Sequence, residues 1–252
     1  MIQKHMNINK SKILSYWIIG KHAVVGALNN PDRINYRLCI TAENYEKIQT
    51  NNIKLEPEIM SRTEISKLTN NNIHQGLALL TKPLEKKNLN NYLNQNKNKN
   101  KIFIILHQIN DSQNVGAIIR SAAAFNASGI IILDKNSPNE NSALSKAAAG
   151  TLEIMPLFRV SNLVQTIKLL KQNNFWTVGL EAKAIKTLKE INESTKIFSE
   201  NVAIVMGSES KGIRSLVKDN CDITAKINIK NSIESLNVSV ALAISLYEMN
   251  RS

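Results

Sequence analysis

Residues Ile102–Asp134 read IFIILHQINDSQNVGAIIRSAAAFNASGIIILD. Two short isoleucine-rich runs, IFIILH and GIIILD, enclose a stretch of helical composition, NVGAIIRSAAAFN. Short apolar runs without polar alternation fit strands buried on both faces, as in parallel sheets. Working outward, the pattern recurs. NLVQTIKLLKQNN (162–174) is an amphipathic helix, FWTVGL (175–180) and NVAIVMG (201–207) are strands, and GIRSLVKDN (212–220) is helical. ITAKINI (223–229) reads as a strand, and SIESLNVSVALAISLYEMN (232–250) as an apolar helix with a polar opening. Strands alternating with helices predict a mostly parallel sheet covered on both faces. Residues 102–252 are thus expected to form one α/β domain.

A smaller α/β unit is expected over residues 16–83. WIIGKHAVVGALN gives a strand and a helix start, YRLCIT a strand, NYEKIQTNN and SRTEISKLT two helices, and GLALLT a closing strand. Residues 84–101, LEKKNLNNYLNQNKNKNK, are too polar to bury much surface and read as a linker, with a short helix possible around Leu89 to Leu93. Residues 1–15 read as a basic, disordered tail.

The chain has 252 residues, 43% of them hydrophobic, with a net charge of +12. That excess of cations points to a polyanionic partner, although the Asn, Lys and Ile richness also fits biased base composition. Cys39 and Cys221 lie far apart and no CxxC pair exists, which disfavours a zinc ribbon or a dithiol site. The four histidines show no metal-ligand spacing, so no metal is expected. No apolar run has the length of a membrane span, and the start lacks the apolar core of a secretory signal. The cytoplasm is the expected location, without membrane contact.

Ligands of parallel sheets gather at loops leaving the carboxyl ends of strands, and three such loops stand out. In the first, Asn114 is expected to cap a helix, with Gly116 beside it and Arg120 about a turn and a half later. Taken alone, this loop is better read as a capped helix with one exposed arginine. In the second, IVMGSESKGIRSL (204–216), Gly207 and Gly212 have P-loop spacing. Ile213 and Arg214 stand where Lys and Ser/Thr are required, so a nucleotide hydrolase is disfavoured. Glu209 is either a turn residue or a carboxylate aimed at a cation or a catalytic side chain. In the third, Ser235 and Asn237 offer polar groups at a helix N-terminus, which also presents free backbone N–H groups to a ligand. Capping alone accounts for one of them.

Taken in order, the loops resemble the three motifs of the SpoU-type (TrmH-like) RNA ribose 2′-O-methyltransferases of the knotted SPOUT class. NVGAIIR supplies Asn114, Gly116 and Arg120; VMGSESKG supplies Gly207, Glu209 and Gly212; SLNVSVA matches the third motif from Ser235 to Ala241. GKHAVVGAL and HQGLALLTKP resemble the ribosomal-protein L30e-like substrate-binding domain of members that methylate a guanosine of large-subunit ribosomal RNA. The resemblance implies a trefoil knot, a homodimer formed through the last helix, and S-adenosyl-L-methionine as cofactor. It implies cofactor contacts at Gly207, Ile227, Ile229 and Leu236, and catalytic roles for Arg120, Asn114, Glu209, Ser235 and Asn237. Lys21 and His22 become candidate RNA contacts. Asn228 stands where the family has proline, and the looser loop is expected to weaken cofactor binding. Methylation of transfer RNA and RNA binding without catalysis remain alternatives.

Overall fold

The computed structural model describes residues 14–48, 55–70, 73–96, 100–208, 211–230, 232 and 234–251. Most of the expected basic tail therefore lies outside the described residues.

The first sheet contains β1 (Tyr16–Ile19), β2 (Asn35–Ile40), β3 (Pro57–Ile59) and β4 (Leu77–Thr81), in the order β1-β4-β2-β3. β4 runs antiparallel to both β1 and β2, while β3 runs parallel to β2. Helix α1 (Lys21–Asn29) packs Ala23, Val24 and Ala27 on Ile18, Leu38, Ile40, Leu77 and Leu79. The helix read from NYEKIQTNN is the single turn α2 (Ala42–Tyr45) in the described part. Helix α3 (Arg62–Leu68) starts with a capping box: Ser61 Oγ accepts from Glu64 N–H, and the Glu64 carboxylate accepts from Ser61 N–H.

Residues 84–101 are not a bare linker. They contain helix α4 (Leu89–Gln95), capped by Asn88, which buries Leu89 and Leu93 in the larger unit. Tyr92 meets Phe158 and Phe103 edge-on at 5.1 and 6.0 Å, and its hydroxyl donates to Ser128 O at 3.1 Å. Three apolar side chains at i, i+3 and i+4 were enough to dock this otherwise polar stretch.

The second sheet is wholly parallel, in the order β10-β8-β9-β5-β6-β7. Its strands are β5 (Ile102–Leu106), β6 (Gly129–Leu133), β7 (Leu157–Val160), β8 (Phe175–Leu180), β9 (Asn201–Met206) and β10 (Ile223–Ala225). The helices are α5 (Ser112–Ala124), α6 (Ser142–Ala148), α7 (Leu163–Gln172), α8 (Leu188–Thr195), α9 (Ser215–Lys218) and α10 (Val238–Asn250). Side chains alternate between two apolar layers. Ile104, Leu106, Ile130, Ile132, Ile204 and Met206 face α5, α6, α8 and α10; Phe103, Ile105, Ile131, Ala203 and Val205 face α4, α7 and α9. That double burial explains the unbroken isoleucine runs. ITAKINI and GIRSLVKDN hold shorter elements than expected, because β10 ends at Ala225 and α9 spans one turn. The rest of both stretches forms loops of the candidate site.

The two units are joined by a buried ion cluster. The Arg33 side chain is 0% exposed; its Nε and Nη2 donate to Glu153 at 3.0 and 2.7 Å, and Nη1 donates to Glu140 at 2.8 Å. Tyr16 OH and Leu84 N–H also donate to Glu140, and Asn30 Nδ2 donates to Glu153. Burial alone disfavours the Arg33 charge, but its hydrogen bonds to Glu153, with Tyr16 and Glu140, more than restore it and raise its pKa. Beside this cluster Gly26 meets Gly150: a Cβ on Gly26 would lie 2.9 Å from Gly150 Cα.

Candidate active site

The carboxyl ends of β8, β9 and β5 lie side by side, so the loops that follow them converge. After β9 the chain doubles back at Gly207. A Cβ there would lie 2.1 Å from the Gly212 carbonyl carbon and 2.4 Å from Ile213 N, so only glycine permits the turn. Gly212, at φ +61°, donates its N–H to Ser208 O at 2.8 Å and closes the neck of the loop. Glu209, expected at its tip, lies outside the described residues.

A cleft opens between this loop, the segment after β10 and the start of α10. Gly207, Ile227, Ile229 and Leu236 all line it, as does Ser235. Leu180, Met206 and Val238 complete apolar walls, while the Ser208 and Ser235 hydroxyls and the Glu181 carboxylate supply polar groups. Apolar faces with a few convergent acceptors suit a nucleoside, so the lining fits the adenosyl part of S-adenosylmethionine. Asn228, between two lining isoleucines, is exposed and borders a separate cavity with Ile244 and Glu248.

Asn237 ties this cleft to the first motif. Its Oδ1 accepts from Ser239 N–H at 2.9 Å, Ser239 Oγ at 2.6 Å and Val240 N–H at 3.4 Å, capping α10. An oxygen committed to the cap fixes the amide orientation, so Nδ2 donates to Asn114 Oδ1 at 2.9 Å. The Asn114 Nδ2–H then has no hydrogen-bond partner among the described residues. Asn114 is not the cap of α5, as the sequence suggested. Asp111 caps it, accepting from Gln113 and Asn114 N–H at 3.1 and 3.2 Å. The third position of the first turn is what points the Asn114 side chain at Asn237.

Gly116 serves packing. A Cβ there would lie 2.5 Å from Leu144 O and 2.6 Å from Ala147 Cβ, so α5 and α6 touch through it. Arg120 is exposed on α5, does not line the cleft, and has no hydrogen bond or ion pair among the described residues. The structure therefore unites Asn114 with Asn237, and Ser235 with Gly207, Ile227, Ile229 and Leu236, and leaves Arg120 outside the cleft. Lys21 and His22 are exposed at the start of α1.

Two residues escaped the sequence reading. Glu181 follows β8, and its Oε1 accepts from Ile213 N–H at 3.1 Å. Its only sequence signal is a carboxylate directly after a buried strand. His107 extends the β5–β9 ladder, donating its N–H to Met206 O at 2.8 Å, while its ring is buried and Nδ1 has no partner among the described residues. Burial, then the positive charge of Arg214, pushes its pKa down. Among the described residues no three His, Cys, Asp or Glu side chains converge as a metal site. Burial pushes the Cys221 thiol up to about 11, which keeps it protonated. Among the described residues, no helix is long and apolar enough to cross a membrane.

The profile of the SpoU rRNA Methylase family matches residues 101–247, and that of the RNA 2′-O ribose methyltransferase substrate-binding domain matches residues 17–87. A Staphylococcus aureus (strain COL) protein assigned to the TrmH family of tRNA/rRNA methyltransferases is 36% identical over 242 residues, covering 93% of this chain and 95% of that one. The SpoU methyltransferase AviRb from Streptomyces viridochromogenes superposes with a TM-score of 0.78 at 18% identity, covering 96% and 91% of the two chains. The AdoMet-bound rRNA methyltransferase from Sinorhizobium meliloti gives 0.74 at 21%, covering 96% and 89%. Both structures show the shared fold. The chain thus belongs to the SpoU rRNA methylase family and is an RNA 2′-O-methyltransferase that uses S-adenosylmethionine, with a substrate-binding unit ahead of the catalytic one.

Proposed function

We propose that the protein methylates the ribose 2′-hydroxyl of a guanosine in large-subunit ribosomal RNA, and that it does so as a homodimer in the cytoplasm. The observation that carries the site assignment is the Asn237–Asn114 hydrogen bond, which joins the first motif to the cofactor cleft. The substrate-binding unit, clamped to the catalytic one through Arg33, supports a large structured RNA. Support for a dimer comes from α10, which exposes Val240, Ile244 and Tyr247 at 47, 40 and 55% along one stripe. In the same reading, the C-terminal segment threads through a loop as a trefoil knot whose loops are the second and third motifs. The two stretches share one cleft.

The bound cofactor supplies a methyl group already activated on a sulfonium, so the protein has to position the ribose and accept its proton. Gly207, Ile227, Ile229 and Leu236 hold the adenosyl part. The Nδ2–H of Asn114 and the exposed Ser235 hydroxyl orient the target hydroxyl, and Asn237 holds Asn114 in place. Glu209 is assigned to positioning Arg120. Arg120 acts through its guanidinium fork of N–H donors. Its part is to bind the flanking phosphate and stabilise the developing alkoxide. Its exposure outside the cleft suits a group that meets RNA directly.

The test is methyl transfer from labelled S-adenosylmethionine to unmodified ribosomal and transfer RNA, with the modified ribose mapped. Transfer to ribosomal RNA alone is the expected result. Transfer to transfer RNA alone overturns the substrate, and transfer to neither favours RNA binding without catalysis. Arg120→Ala is expected to abolish transfer while cofactor affinity stays within twofold, and full retained activity removes its role.

A further inference from the structure

Glu181 is the only ionisable side chain among the described residues lining the cofactor cleft. It follows β8 directly, and its own N–H donates to Ala225 O at 2.8 Å, which fixes its backbone against β10. Its Oε1 is committed to Ile213 N–H at 3.1 Å, and a Cβ on Gly212 would lie 3.3 Å from that oxygen. The carboxylate is thus wedged against the loop that starts at Gly207. Its Oε2 has no hydrogen-bond partner among the described residues, although the side chain is half-buried. Oε2 is not fully buried, so a donor that enters the cleft can reach it.

We propose that Glu181 accepts hydrogen bonds from the ribose hydroxyls of the cofactor, and that the same carboxylate holds the Gly212–Ile213 backbone beside the nucleoside. The inference rests on the reading that this cleft takes S-adenosylmethionine. Three observations select the ribose. The flanking Leu180 and Ala182 also line the cleft, so Glu181 emerges from an otherwise apolar wall of the kind a nucleoside needs. The lining holds no lysine or arginine for an amino-acid carboxylate, which places the methionine arm elsewhere. A carboxylate at the carboxyl end of a parallel strand is also where nucleotide-binding sheets take up a ribose hydroxyl.

The consequence is a link between cofactor and loop. A ligand hydroxyl on Oε2 orients the carboxylate and thereby tightens its hold on Ile213 N–H.

The experiment measures equilibrium binding to the full chain by calorimetry, with no turnover. The probes are S-adenosylhomocysteine, 5′-methylthioadenosine, which lacks the amino-acid arm, and the 2′-deoxy and 3′-deoxy forms of the latter. Glu181→Ala is expected to weaken both parent ligands by roughly 10- to 100-fold, the range for a hydrogen bond to a charged group. Removing the contacting hydroxyl should weaken wild type to a similar extent and leave Glu181→Ala unchanged. Glu181→Gln keeps an acceptor for Ile213 N–H, so it separates loop support from ribose binding. It should retain the wild-type unfolding midpoint and lose part of the affinity. If Glu181→Ala loses S-adenosylhomocysteine but not 5′-methylthioadenosine, the partner is the ammonium and the proposal fails. It also fails if the deoxy forms weaken wild type and variant equally, as a contact to the purine would require. If wild type binds neither parent ligand, the cofactor reading of the cleft itself fails.

Discussion

Replacing Arg33 with alanine should cost more stability than any other single change at the junction of the two units. The guanidinium is fully buried and holds Glu140 and Glu153, which are 10 and 4% exposed. Its removal strands two carboxylates. Breaking a buried pair costs about 3–5 kcal/mol, mostly from the charge left behind. Glu140 keeps donors from Tyr16 and Leu84, and Glu153 keeps Asn30. Those contacts place the loss near the lower end, about 3 kcal/mol. For a chain of this size that is a drop of roughly 6–12 °C in the unfolding midpoint. The assay is thermal unfolding followed by circular dichroism, with Arg33→Met/Glu140→Gln/Glu153→Gln alongside. The triple variant removes all three charges and should recover most of the loss. A shift below about 2 °C for Arg33→Ala, or no recovery in the triple variant, would refute the stranded-charge argument. Methylation should separate similarly: the apparent RNA affinity falls in Arg33→Ala while S-adenosylhomocysteine affinity is held.

Gly207→Ala puts a methyl group into the backbone of Gly212 and Ile213. It should abolish S-adenosylhomocysteine binding with a folded spectrum, and a dissociation constant within threefold of wild type would contradict this. Asn237→Asp keeps the cap on α10 but removes the Nδ2–H that Asn114 accepts. Stability should change by less than about 1 kcal/mol, while the methylation rate falls at least tenfold, because Asn114 must turn its own Nδ2–H inward to meet the carboxylate. Unaltered turnover would show that this donor is not used. His74 and His107 both have pKa values lowered first by burial, and Gly76 N–H occupies His74 Nδ1 at 3.0 Å. Below pH about 6.5 the unfolded chain binds protons that the folded one refuses, so stability present above that pH declines as pH falls. Urea midpoints at pH 7.5 and 5.5 should show the decline, and His74→Gln/His107→Gln should flatten it; an unflattened slope would assign it to other groups.

Five of the six strands of the parallel sheet were readable, the central β5, β6 and β9 because burial on both faces gives unbroken apolar runs such as IFIIL and GIIIL, whereas the edge strand β7, LFRV, was not read. The short helix around Leu89 to Leu93 was expected, but its docking was not, because Leu89, Tyr92 and Leu93 sit among asparagines and lysines whose composition suggests solvent. Its burial depends on Phe103 and Phe158, which the local sequence does not reveal. The site divides in the same way. Gly207, Ile227, Ile229, Leu236 and Ser235 line one cleft. Capping chemistry misled at Asn114, because Asp111 is an equally good cap and three residues earlier fits the first turn better. Gly116 follows the motif but is explained by the α5–α6 contact. Glu181 and His107 had no motif to mark them, since each acts only once strands distant in sequence are neighbours.

The position of β5 at the middle of its sheet bears on how the chain is made. Ile102 pairs with Val202, 100 residues further on, so one edge of an almost wholly apolar strand has no partner while those residues are translated. At ordinary elongation rates of about 5–20 residues per second, that exposure lasts roughly 5–20 s. The loops of β9 and α10 emerge later still, and no nucleoside can bind before they do. Free cofactor would therefore stabilise only chains that have cleared this interval. Aggregation during synthesis should respond to chaperones that shield an open strand edge and be indifferent to added S-adenosylmethionine.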